Sequence, residues 1–146
     1  MAPRERTLVR LQITSTALTP QDIETRLGLK PDTTWKIGDR TSVFGSVEKT
    51  NGFTLDSSLN LTISLEEHIH SLIARVAPCA QKIGELASQA TIVLLCVLSR
   101  KSIPPMTFGR DDVRWLAVMG AKIDIELGLI PDPSRDAGKK PSAPSA

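Results

Sequence analysis

Residues 18–39 read LTPQDIETRLGLKPDTTWKIGD, a helix-forming stretch that runs into a proline stop and a Trp-x-x-Gly-Asp loop. Thr19 is a favoured N-cap, and Pro20 suits the first helical position, where a missing N–H costs nothing. Asp22 then lies at the positive end of the helix dipole, and Leu18 and Ile23 form a hydrophobic staple around the cap. Ile23 and Leu27 share a face, Gly28 offers the left-handed conformation that ends a helix, and Leu29 folds back on Ile23. Pro31 forbids continuation. Every local signal agrees on one short helix, followed by a loop that carries Trp35, Gly38 and Asp39.

Working outward, residues 8–15 (LVRLQITS) alternate, with Val9, Leu11 and Ile13 on one face and Arg10, Gln12 and Thr14 on the other, as a half-buried strand does. Downstream, residues 41–47 are a short strand candidate, Asn51-Gly52 is a tight-turn dipeptide, and residues 53–55 are the returning strand of a hairpin. A two-residue turn would set Phe53 and Leu55 against Thr50 and Glu48, so a bulge or a longer loop is the alternative. Ser64 and Glu67 then frame a capping box, after which Leu65, Ile69, Leu72, Ile73 and Val76 make an apolar stripe at helical spacing. Pro78 interrupts it, and Cys79, Ile83 and Leu86 resume the pattern, as a kink or a second short helix.

Residues 90–99 (ATIVLLCVLS) are almost continuously apolar, the mark of a central, largely shielded strand. Pro104-Pro105 follows. Residues 111–119 make a helix with Val113, Leu116, Ala117 and Trp115 inward, closed by Gly120. Residues 121–127 alternate again, with Ile123, Ile125 and Leu127 in and Lys122, Asp124 and Glu126 out. This order predicts an α+β fold: a single antiparallel or mixed sheet of four to five strands, helices packed mainly on one face, a relative of the ferredoxin-like fold. Residues 1–130 form the single domain, and 131–146 read as a flexible Pro/Ser/Lys-rich tail.

Composition removes several function classes. Aromatic residues are only 3% of the chain and Tyr is absent, so the core must be built from Leu, Ile, Val and Ala. The formal charge of +2 is carried by the ends, through Arg4, Arg6 and Arg10 and through Arg135, Lys139 and Lys140. The body is close to neutral and lacks a basic face with stacking aromatics, which argues against nucleic acid as a partner. The longest apolar run, residues 90–98, is strand-sized, which argues against a membrane span. The opening MAPRERTLVR has no apolar signal core, so the expected location is cytoplasmic, with Cys79 and Cys96 buried as reduced thiols.

The sequence offers little chemistry. His68 and His70 stand two apart on a helix and point to opposite sides, so they do not share a metal, while Glu66 and His70 are spaced to touch. Asp111 and Asp112 suit a helix N-terminus, and Asp124 and Glu126 a solvated strand face, which is a stronger reading than a paired-carboxylate acid/base site. No phosphate-cradling loop, nucleophile elbow or cysteine metal motif occurs. No catalytic residue, metal or cofactor is assigned.

The string at residues 18–39, then Gly52-Phe53, a Leu-Glu-Glu-His helix at 65–68, and Gly120-Ala121-Lys122-Ile123-Asp124-Ile125 together resemble a bacterial family catalogued as domain of unknown function 4279. The resemblance spans residues 8–127, and its most specific piece is Thr34-Trp35-Lys36-Ile37-Gly38-Asp39. The chain departs from it at Phe53, where tryptophan is expected; the flat apolar side chain is kept and the indole donor is lost. The resemblance implies one small self-contained domain and supplies no catalytic residues.

The expected function is therefore that of a non-enzymatic protein-binding module, of the kind that serves as an immunity or antitoxin partner. The rival is a small-molecule-binding protein or weak enzyme using the loop at residues 35–39, with Trp35, Lys36, Asp39 and Phe53 as candidate ligand-binding residues. Against it, Trp35 reads as closing the core beside the first helix and Gly38-Asp39 as a turn. The reading of the cysteines gives a direct test: thiol titration after denaturation without reductant should find two free cysteines. An intact mass two hydrogens light would contradict it.

Overall fold

In the computed structural model, which describes residues 4–40 and 45–131, the alternating stretch is the central strand β1 (Arg6–Ser15). Val9, Leu11 and Ile13 are fully buried, while the residues between them are half-buried on the other face. β1 pairs antiparallel on both edges, with β3 (Asn51–Asp56) and with β4 (Thr91–Arg100). β2 (Thr33–Trp35) lies antiparallel outside β3, and β5 (Lys122–Leu129) lies parallel outside β4, giving the order β2-β3-β1-β4-β5. Helices α1 (Pro20–Leu27), α2 (Leu65–Val76), α3 (Ala80–Glu85) and α4 (Arg110–Met119) send their buried residues into one core against the Val9, Leu11 and Ile13 face. The first four strands have the ferredoxin-like order and alternation, and α4 with β5 adds a parallel strand–helix–strand unit at one edge.

The cap and the stop expected for α1 are realised. The Thr19 hydroxyl accepts from the Asp22 N–H at 3.1 Å, and the Asp22 carboxylate accepts from the Thr19 N–H at 3.0 Å, a complete capping box. Gly28 ends the helix at φ 66°, donating its N–H to Glu24. Leu18 and Ile23 are buried together in the core. At the start of α2, the Ser64 hydroxyl accepts from the Glu67 N–H. Pro78 falls in a 3₁₀ turn, Ala77–Cys79, and α3 is the second short helix expected after it.

Two expectations are corrected, and a third falls largely outside the described residues. Asn51-Gly52 is not a turn but the start of β3, because the Asn51 side chain is tied into the fold: its Nδ2 donates to the Leu18 carbonyl and its Oδ1 accepts from the Ile37 N–H. Of the strand expected at 41–47, residues 41–44 lie outside the described residues, and Arg40 and Val47 form an isolated antiparallel bridge. The second correction concerns the last helix and strand. α4 buries Asp112, Leu116 and Met119, and leaves Val113, Trp115 and Ala117 exposed. It packs on α3 and α2, where Gly84 lets the backbone of α4 come so close that a Cβ would stand 2.3 Å from the Val118 carbonyl oxygen. β5 is thereby left thinly covered: Ile123 is 39% and Ile125 41% exposed, and only Leu127 of the expected inward row packs on the core.

Both cysteines are free and buried, and burial pushes the Cys96 thiol up to about 11. Among the described residues, no helix is long and apolar enough to cross a membrane.

His68, on the inner face of α2, staples the loop before that helix. Its Nε2 faces the Asn60 carbonyl oxygen at 3.0 Å, which can only accept, so this nitrogen carries the proton. Its Nδ1 is left to accept from the Ser57 hydroxyl at 2.5 Å. Burial, the largest cause, holds the imidazole below its ordinary value of 6.5. The folded chain then binds this proton less readily than the unfolded chain, so the neutral His68 contributes fully above about pH 6.5 and less as pH falls below it. Urea midpoints should therefore drop between about pH 7.5 and 5.5. The drop should vanish in His68→Gln and persist in His70→Gln; persistence in His68→Gln would contradict the assignment.

Candidate functional site

The loop at residues 35–39 sits beyond the edge of the sheet. Trp35 pairs with Gly52 on the face opposite to the helices, and a Cβ on Gly52 would stand 2.0 Å from the indole Cε2. The ring thus lies flat on the strand, possible only because position 52 has no side chain. The indole is half-buried, and among the described residues its Nε1 is shielded without a hydrogen-bond acceptor. Asp39 accepts from the Lys36 N–H at 2.8 Å and its carbonyl accepts from Glu48, so its polar groups are engaged in the turn. Lys36 is exposed.

Phe53 follows Gly52 and therefore points the other way, fully buried in the core. The structure brings Trp35, Lys36 and Asp39 together and places Phe53 on the opposite face of the sheet. It also corrects the expectation that Trp35 closes the core beside α1: the indole covers the face that the helices leave open.

The more developed concavity lies between α2 and α4. One cleft of about 400 Å³ opens at the N-terminal ends of the two helices, lined in part by Glu66, Glu67, His70, Gly109 and Asp112. A second, of about 520 Å³, continues along the helices between Ile73, Ala74 and Ala77 of α2 and Trp115 and Val118 of α4. His70 and Asp112 line both. The result is a trough with an acidic end and an apolar end. Trp115 is 39% and Val118 44% exposed along its wall.

Asp112 is the unusual group. It is only 8% exposed, and its one polar contact among the described residues is His70 Nδ1 at 3.5 Å, longer than a good charge-assisted hydrogen bond. The N-cap residue, Gly109, has no side chain to cap the helix, and no side-chain bond caps α4. His70, by contrast, has a side chain 80% exposed. The expected Glu66–His70 contact is replaced by this one across the trough. Sequence reasoning assigned Asp112 to the helix dipole; a faint signal for more was the glycine at the cap followed by an acid three residues on.

Other groups resolve into structural roles. The Ser57–His68 pair resembles a nucleophile and its base, yet both residues are buried and the second imidazole nitrogen is held by a backbone carbonyl. Asp124 and Glu126 are exposed on β5. Among the described residues, no three His, Cys, Asp or Glu side chains converge as a metal site would require.

The stacking of Trp35 on Gly52 yields a double-mutant test. Gly52→Ala should destabilise the wild-type chain by roughly 1–3 kcal/mol through overpacking. In a Trp35→Ala background the same change should fall within about 0.5 kcal/mol. Equal costs in both backgrounds, read from denaturant unfolding, would show that the indole does not lie on the glycine.

Comparison with curated proteins and with solved structures returned no match. Residues 5–129, most of the chain, match the family described as "Domain of unknown function (DUF4279)", and the chain belongs to that family.

Proposed function

We propose that this chain is a non-enzymatic, cytoplasmic protein-binding module whose contact surface is the α2–α4 trough. The observation that carries the reading is the outward placement of Trp115 and Val118 on α4, facing Ile73, Ala74 and Ala77 across an open groove. Large apolar side chains left in contact with water along a helix–helix groove are a recurrent feature of sites that receive an apolar ridge from another protein. Strand β5 also leaves apolar side chains exposed, Ile123 and Ile125. The alternative, a small ligand at the loop of residues 35–39, draws its support from the shielded, unpartnered Nε1 of Trp35.

A photo-crosslinking amino acid placed at position 118 tests the reading in cells that make the protein natively. It should give a discrete protein adduct, and the same group at position 82 on the exposed side of α3 should not. Absence of an adduct from position 118, or the same adducts from both, would count against a partner in the trough. A protein adduct from position 37 alone would move the partner contact from the trough to the loop of residues 35–39.

A further inference from the structure

We infer that the trough contains a cation subsite: Asp112 receives the Lys or Arg side chain of an amphipathic partner segment whose apolar ridge lies between α2 and α4. This rests on the protein-binding reading above and adds the chemistry of the partner. A carboxylate removed from water is costly unless a donor or a positive charge compensates it. The Asp112 side chain is 11% exposed, lines both halves of the trough and, among the described residues, has His70 Nδ1 at 3.5 Å as its one polar contact. His70 is mostly in solvent and stands where the two clefts meet, so it can swing aside without disturbing the core. The carboxylate is thus shielded enough to strengthen an ionic contact and open enough to the trough for a cation to reach it.

The surrounding charge favours a cation. Glu66 and Glu67 line the same end, and Asp111 lines the second cleft. The basic groups there are His70 and Arg114, and the Arg114 guanidinium lies 4.0 Å from Asp111, away from Asp112. Beyond Asp112 the wall becomes apolar, with the small side chains of Ala74 and Ala77 opposite Trp115 and Val118. A segment with a basic residue at one end and aliphatic residues along one face matches both ends at once. An acidic segment would meet like charge at Glu66, Glu67 and Asp112.

The test uses the full chain and two short amphipathic helical peptides, each with a leucine ridge, identical except that one carries Lys where the other carries norleucine. Amide resonances are followed by NMR titration. Both peptides should shift α2 and α4 resonances around Ala74, Ala77 and Trp115, and the Lys peptide should bind about tenfold tighter. That advantage should disappear in Asp112→Asn and survive in Asp124→Asn, an exposed control on β5. Equal binding of the two peptides to the wild-type chain would overturn the cation subsite while leaving the trough as a protein-binding surface. An advantage that survives in Asp112→Asn would likewise overturn it. If neither peptide shifts the α2 and α4 resonances, both the subsite and the reading beneath it fail. The comparison of the two peptides on the wild-type chain keeps its meaning even if Asp112→Asn folds poorly.

Discussion

Strand β1 is hydrogen-bonded along both of its edges, and the layer of helices is arranged around that pairing. Residues 10–15 hydrogen-bond with β3 on one edge and residues 6–14 with β4 on the other. With both edges occupied, the strand has only its two faces left, and its alternation assigns them: Val9, Leu11 and Ile13 must meet helices, while Arg10, Gln12 and Thr14 need not. A slip of one residue would exchange the two sets. The helices are therefore confined to one side, α2 packs on β1, and the connections before and after it must cross at the ends of the sheet. Ser15 shows how tightly one end is tied, since its hydroxyl donates to the Gln89 carbonyl while accepting from the N–H groups of Ala17 and Leu18.

Placing all the helices on one side leaves the added α4–β5 unit short of space. α4 leans on α3 at Gly84 rather than lying over β5. Two consequences follow from this single displacement. β5 keeps its hydrogen bonds to β4 but loses the cover that its Ile123 and Ile125 side chains were patterned to receive. The gap between α4 and α2 stays open as a trough, with Trp115 and Val118 on one wall. The candidate site is thus a by-product of helix placement, not of a loop.

The two candidate regions differ in what their polar groups are doing. At residues 35–39, Asp39 is occupied by backbone donors and the indole by Gly52, so the loop is largely satisfied apart from Nε1. In the trough, the one polar contact of the Asp112 carboxylate among the described residues is a distant imidazole.

Legible along the chain was what depends on near neighbours: the capped and proline-stopped α1, the alternation of β1, the apolar run of β4, and the opposite senses of His68 and His70, with a kink or a second short helix left open after Pro78. These features repeat every two or three to four residues and are decided by local backbone geometry. The family, too, was legible in the Trp-x-x-Gly-Asp stretch and its companions. What only the tertiary structure decided depends on which elements meet. Asn51-Gly52 has the composition of a turn, yet side-chain bonds to Leu18 and Ile37 hold it in a strand. Trp35 and Phe53 sit on opposite faces because strand pairing puts Trp35 against Gly52. Ile123 and Ile125 alternate like buried residues but lie at an edge. Asp112 reads as an ordinary first-turn acid until α2 is brought across it, because no local pattern records how far a neighbouring helix stands from a carboxylate.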